Sequence, residues 1–406
     1  MNSETTSINK SKSSSIWTPT FISIFIVNFA LNMGQFMMNT LIPKYADHLG
    51  ATASIVGLVS SMFAVTALAI RPLAGPAFDF FSKKKLLMLA IGVIALAFVG
   101  YSLSSSVQMV MVFRLLHGFG VGCTAPLALA IASDALPDEK MGSGIGVFSL
   151  AQAISSAIGP SLGLSLSQSI GYSATFAIGA VTVGFSCALT LIIKEAPRPK
   201  DRGRFRISPD KIVAKEAVMP AIIMIFLAMS YSCINSFIAI YGAERNVEQI
   251  GLFFTVYAIC LLLSRPLSGT ISDRFGLDKS IVPACICFAA AFLLISIADS
   301  LPLFLLAGAA SAFGYGACQP AIQALCMRCV PKERRGAGAN TNYIGVDIGN
   351  LLGPVIAGRI AEAVQASSGV AVQGYSVMYR CMILPIGIAL VLFLANRRSL
   401  LAKSKN

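Results

Sequence analysis

Twelve stretches of this chain stay apolar for long enough to cross a lipid bilayer, and that leaves few folds open to it. They run at about 18–43, 52–78, 86–104, 107–133, 142–168 and 171–193 and, after a charged gap, at about 217–241, 249–271, 280–298, 301–327, 336–361 and 376–396. A spanning helix needs about 20 apolar residues, whereas a membrane-barrel strand alternates polar and apolar positions over about ten. The runs here are continuous, which predicts an all-α membrane protein with 12 transmembrane helices. Composition agrees, since only 12% of the 406 residues are charged, against about 25% in soluble domains. A water-facing surface could not be covered with so few charges, so a soluble enzyme is excluded.

The segment from Met1 to Ile16 is polar and Ser-rich, and the apolar run behind it is about 25 residues long. A cleaved leader has a shorter apolar core, so this reads as a retained first span. Of the 31 Lys and Arg, 24 fall on one side of the twelve-span arrangement. They include Lys83 to Lys85, eight between Lys194 and Lys215, Arg274, Lys279, Arg334, Arg335, Arg397 and Arg398; loops on the other side hold only Lys44 and Arg245. The positive-inside rule then places both termini in the cytoplasm. The net charge of +13 is dispersed over separate loops, which is topology rather than a nucleic-acid surface.

The two halves of the chain repeat. Arg71-Pro72-Leu73-Ala74-Gly75 with Asp79 recurs 194 residues later as Arg265-Pro266-Leu267-Ser268-Gly269 with Asp273. The same offset carries Gly57 onto Gly251, Gly120 onto Gly314, Pro126 onto Pro320, Gly144 onto Gly338 and Gly159-Pro160 onto Gly353-Pro354. The expected organisation is a tail (1–16), a six-helix bundle (17–193), a charged linker (194–216), a second six-helix bundle (217–396) and a tail (397–406). Parallel six-helix repeats joined by a charged loop describe transporters in which one half rocks against the other around a central site.

On these features the chain resembles the major facilitator superfamily over essentially its whole length. The loop Gly75 to Lys85, with Asp79 and Lys83, is similar to the superfamily's Gly-x-x-x-Asp signature before a basic run, and Gly269 to Lys279 keeps Asp273 and Arg274. An Asp at a helix end beside cations can pair with them and lock two helices in one conformation. Phe80 stands where the family has Arg, and Leu277-Asp278 replaces the second basic run. In the fourth span, Arg114-Leu115-Leu116-His117-Gly118 is similar to the family's Arg-containing motif. A charge in hydrocarbon costs about 2.5–3.5 kcal/mol on insertion scales, which points to a coupling or substrate role for Arg114, with snorkelling or backbone pairing as the alternative. In the fifth span, Gly146, Ser155, Gly159-Pro160 and Gly163 keep the spacing of a motif that the superfamily associates with antiporters. Small residues at this spacing also serve plain helix packing.

Polar residues inside the spans form stripes at helical spacing: Asn28, Asn32, Gln35 and Asn39 in the first; Tyr231 and Asn235 in the seventh; Tyr315, Gln319 and Gln323 in the tenth; Asn340, Tyr343, Asp347 and Asn350 in the eleventh. The resemblance makes these cavity-lining helices, so the stripes are expected to bind substrate. Asp347 is the acidic residue near mid-depth, suited to carrying a coupling proton, with Arg114 as its counter-charge and His117 beside it. Ten scattered Cys and two His give no convergent metal site, and no phosphate loop, nucleophile elbow or other cofactor motif is present. The expected protein is a monomeric, multi-pass transporter of a bacterial cytoplasmic membrane. It would export small amphipathic molecules in exchange for protons; the alternative is a facilitator or symporter for a small organic anion held by Arg114 and His117.

Overall fold

In a computed structural model, residues 16–137, 141–193, 212–331 and 334–403 are described, excepting the side chains of 73–80, 141–143, 145–146, 273, 335–336 and 401–403. The first half holds α1 (Pro19–His48), α2 (Ala53–Phe80), α3 (Lys83–Leu103), α4 (Val107–Asp134), α5 (Met141–Ile170) and α6 (Tyr172–Thr190). The second holds α7 (Val218–Glu244), α8 (Leu252–Phe275), α9 (Leu277–Ile297), α10 (Leu301–Arg328), α11 (Arg335–Ser368), α12 (Ala371–Cys381) and α13 (Ile383–Lys403). Twelve spans result, because α12 and α13 together make the last. That span breaks at Met382, where Pro385 cannot bond the carbonyl of Cys381 and its ring crowds it. Ser230 of α7 donates to the Met382 carbonyl at 2.9 Å, satisfying one group at the break.

Local chemistry sets the helix boundaries. Thr18 caps α1 by accepting the Phe21 N–H at 3.1 Å, with Pro19 in the first turn, and Ser82 caps α3 by accepting that of Lys85 at 3.1 Å. Between α8 and α9 there is a single residue, Gly276, whose φ of 97° a side chain would strain. Large apolar side chains point outward from the bundle, with Val181 72% and Leu384 69% exposed, which only a hydrocarbon surrounding tolerates over such an area.

The repeat in the sequence is a repeat in space. In the first half α1 packs on α5, α2 on α4, and α3 on α4 and α6; in the second α7 packs on α11, α8 on α10, and α9 on α10 and the last span. Gly120 sits so close to α3 that a Cβ there would lie 2.4 Å from Ile94, and Gly314 would meet Phe288, the residue 194 positions after Ile94, at 2.5 Å. The halves meet chiefly through α2 with α11, α5 with α8, and α1 with α7, with a smaller contact of α2 with α7. Both described ends of the chain lie at one face of the bundle, here the terminal face; the turn after α1 and the start of α2 mark the opposite, far face.

Candidate functional site

Asp347 lies twelve residues into α11, about 18 Å from its start. Its partner is Arg71 of α2: Nε of Arg71 bonds Oδ2, and Nη2 donates to Oδ1 at 3.2 Å. Tyr343, one turn before Asp347, places its ring 5.0 Å from the guanidinium carbon of Arg71. The i, i+4 spacing thus presents a carboxylate and an aromatic face to one cation. Both charged side chains are nearly enclosed, 12% and 7% exposed, and they belong to opposite halves of the molecule.

The depth of the pair follows from helix geometry. Nearer the far face, Gly57 of α2 lies against Pro354 of α11, where a Cβ would come within 2.1 Å of the Pro354 carbonyl. Asp347 is seven residues, about 10 Å, further from the far face than Pro354, while Arg71 is fourteen residues, about 21 Å, beyond Gly57. Side chains lean toward the N-terminus of their own helix, so the long Arg71 side chain reaches back toward the far face and closes that difference. The pair therefore sits inside the bundle, about 18 Å along α11 from its terminal-face end.

The far-face half of the interface is shut around it. Gly358 of α11 leaves no room for a Cβ beside the Ala53 carbonyl, 2.3 Å away. Glu362 accepts from the Thr52 hydroxyl and the Ser54 N–H, both at 3.2 Å, so a carboxylate of one half caps a helix of the other. Between α5 and α8, Ser161 donates to the Gly251 carbonyl at 2.5 Å and meets the Thr255 hydroxyl at 3.0 Å. Lys44 of α1 reaches the Ala239 carbonyl of α7 at 3.4 Å. These hydrogen bonds between the halves all lie on the far-face side of Arg71–Asp347. A recess of about 580 Å³ opens at the far face, lined by Lys44, Ser165, Gln168, Asn246 and Glu248 among others.

Arg114 is not the counter-charge expected for Asp347. It is 2% exposed and directed at α2, donating from Nε to the Val59 carbonyl at 3.3 Å and from Nη2 to the Ser60 carbonyl at 3.2 Å. Phe63 lies 4.5 Å from its guanidinium carbon. Its Nη1 is 3.4 Å from His117 Nδ1, to which the Tyr101 hydroxyl also comes within 3.3 Å. With Nδ1 accepting from Arg114, the ring proton belongs on Nε2, which is buried with no hydrogen-bond partner and packs edge-on to Phe98. The arrangement holds α4 to α2 inside one half.

The polar stripes divide. Asn32 donates to the carbonyl and side-chain oxygen of Asn28, at 2.7 and 2.8 Å, and Gln35 lies half-buried one turn on. Tyr231 and Tyr315 stack with centroids 4.0 Å apart and planes at 4°, with Asn235 one turn from Tyr231 and Gln319 one turn from Tyr315. Asn340 is drawn away from the others, donating to the Ile212 carbonyl at the end of the linker at 2.8 Å. Lys83 pairs with Asp134 at 2.7 Å, tying α3 to α4, and Asp278, which replaces a basic residue, pairs with Arg397. Gly269 has open space around it and Arg274 is exposed. The side chains of Asp79 and Asp273, and the surroundings of Gly75 and Gly146, lie outside what the structure describes. Gly159 and Gly163 lie against Met33, Phe36 and Met37 of α1, so with Pro160 between them they seat helices within one half.

Arg71 has its own mark in the sequence: a cation toward the end of the second apolar run, repeated as Arg265, while the offset takes Asp347 to Ala153.

A family model described as Major Facilitator Superfamily matches residues 24–246 and 220–405. The Staphylopine export protein of Staphylococcus aureus is 24% identical over 391 residues, covering 92% of this chain and 95% of that one. The multi-drug resistance efflux pump PmrA homolog of Lactococcus lactis is 27% identical over 367 residues, covering 84% and 88%. Among solved structures, a mutant of the nucleoside transporter NupG superposes with a TM-score of 0.80 at 14% identity, covering 93% of this chain and 99% of that one. A bacterial homolog of the human lysosomal transporter Spinster gives 0.75 at 16%, covering 95% and 97%. A family model that matches both halves, on a fold of two repeated six-span bundles, makes the conclusion plain: this chain belongs to the Major Facilitator Superfamily and is a membrane transporter, not an enzyme.

Proposed function

We propose that the chain exports small, amphipathic organic molecules in exchange for protons by alternating access, with Asp347 carrying the proton and Arg71 as its ionic partner. The observation that carries this reading is the enclosed Arg71–Asp347 pair between α2 and α11. A carboxylate that is, among the described residues, the sole acid of a buried ion pair between the halves couples its protonation to the relation of the two halves. Ionised, it draws α2 onto α11; protonated, it leaves the guanidinium without a counter-charge, which favours separation. The Staphylopine export protein and the PmrA efflux homolog support export as the direction. The stacked Tyr231 and Tyr315, with amides from α1 and α7 at hand, suit partly apolar ligands.

The basic loops support a cytoplasmic terminal face, in a cell membrane, with the far face outside. The far-face closure then belongs to a state shut to the exterior, and the protein works as a monomer whose two halves supply the whole pathway. The test is transport in proteoliposomes with an imposed pH gradient. Movement of an uncharged amphipathic dye driven by the gradient is the expected outcome; uptake of organic anions without gradient dependence would favour a facilitator instead.

A further inference from the structure

The repeat makes Arg265 of α8 the counterpart of Arg71, yet its partners are missing. The 194-residue offset carries Asp347 to Ala153 and Tyr343 to Ser149, so α5 offers neither a carboxylate nor an aromatic face. Accordingly, no ion pair or cation–π contact among the described residues includes Arg265, and its Nε is buried without a hydrogen-bond partner. The depth matches that of the paired site. Arg265 is ten residues, about 15 Å, further from the far face than Thr255, and Ala153 is eight residues, about 12 Å, further than Ser161, which bonds Thr255. On α8, Arg265 falls between the row that packs on α10, through Leu261 and Ser264, and the row that meets α5, through Gly251 and Thr255. That direction faces the interior of the bundle, where the Arg265 Nε is buried. Tyr257, two turns before Arg265 on α8, has its ring 6.0 Å from that of Tyr231, which in turn stacks on Tyr315.

An unpaired guanidinium in a membrane interior is costly, and the second half carries that cation while the partner position holds an alanine. We infer that Arg265 is a substrate-binding residue whose missing carboxylate is supplied by the ligand: an organic carboxylate with a flat apolar body, its acid group on Arg265 and its ring against the Tyr231–Tyr315 wall. The two arginines then divide the work, Arg71 facing the protein's own acid and Arg265 the cargo's. This rests on reading the chain as an exporter of small organic molecules and narrows the class of cargo.

The test is equilibrium binding to the full chain in lipid nanodiscs, with no gradient imposed, so a failure of proton coupling cannot alter it. The probes are dansylglycine and its uncharged amide, which differ only in the carboxylate. The wild type is expected to prefer dansylglycine about tenfold; Arg265→Gln should erase that preference, and Arg265→Lys should retain part of it. Ala153→Asp, which restores the acid lacking in the repeat, should erase the preference with the arginine still present. Equal binding of the two probes by the wild type, no binding of either, or a preference that survives both Arg265→Gln and Ala153→Asp would overturn the assignment.

Discussion

Arg71 and Asp347, 276 residues apart in the chain, meet through two nitrogens and both carboxylate oxygens across the interface that an alternating-access transporter has to open. The pair is enclosed by Tyr343 on one side and by the Gly57–Pro354 contact above it. Its position makes it both a structural tie and a place where a proton changes the balance between the halves.

Removing one member leaves the other buried and unpaired, which costs about 3–5 kcal/mol where neither can reach water. Asp347→Ala and Arg71→Ala should each lower the thermal stability of the purified protein, and the double substitution should cost less than the sum of the two singles. Thermal unfolding in detergent over the full mutant cycle measures this; strict additivity would show that the two side chains do not interact.

Gly57 tests the far-face closure. Its missing Cβ would stand 2.1 Å from a backbone carbonyl that cannot swing aside, so Gly57→Val should wedge α2 from α11. Spin labels at Ser105 of the first half and Glu248 of the second, on a cysteine-free background, should move apart by several Å at the far face. An unchanged distance distribution would mean that the interface yields elsewhere.

Glu362 should act in the same direction and more weakly. Its carboxylate accepts the Ser54 N–H at the start of α2, and losing such a cap costs about 1 kcal/mol. Glu362→Ala is therefore expected to raise the far-face-open population about fivefold, read with the same label pair.

Arg114 separates stability from coupling. Its fork spans the carbonyls of Val59 and Ser60, which a lysine cannot hold together. Arg114→Lys should destabilise the first half by about 1–3 kcal/mol and leave the proton dependence of transport in place. Loss of gradient dependence at unchanged stability would return Arg114 to a coupling role.

Much of the fold was legible in the sequence because span length and repeat register are properties of the chain alone. Apolar runs mark where helices lie to within about seven residues at their ends, and Gly120 and Gly314 carry the same close approach in both halves since only glycine fits there. The break at Met382 lay within one apolar run and needed Pro385 to be weighed against the carbonyl four residues back. Partner choice was less legible. Whether Asp347 faces Arg71 or Arg114 depends on how α2, α4 and α11 are rotated, and hydropathy does not encode the rotation of a helix that is apolar on nearly all sides. The same limit applies to Asn340, whose place in a helical stripe said nothing of the linker carbonyl it binds.

Proton coupling through Asp347 is tested most directly by transport in proteoliposomes of the wild type, Asp347→Asn and Arg71→Gln, each assayed with and without an imposed pH gradient. The wild type should move an uncharged amphipathic dye at least about tenfold faster with the gradient than without it, while Asp347→Asn should transport at the same slow rate in both conditions. Gradient-driven transport by Asp347→Asn at the wild-type rate would contradict the role given to the Arg71–Asp347 pair.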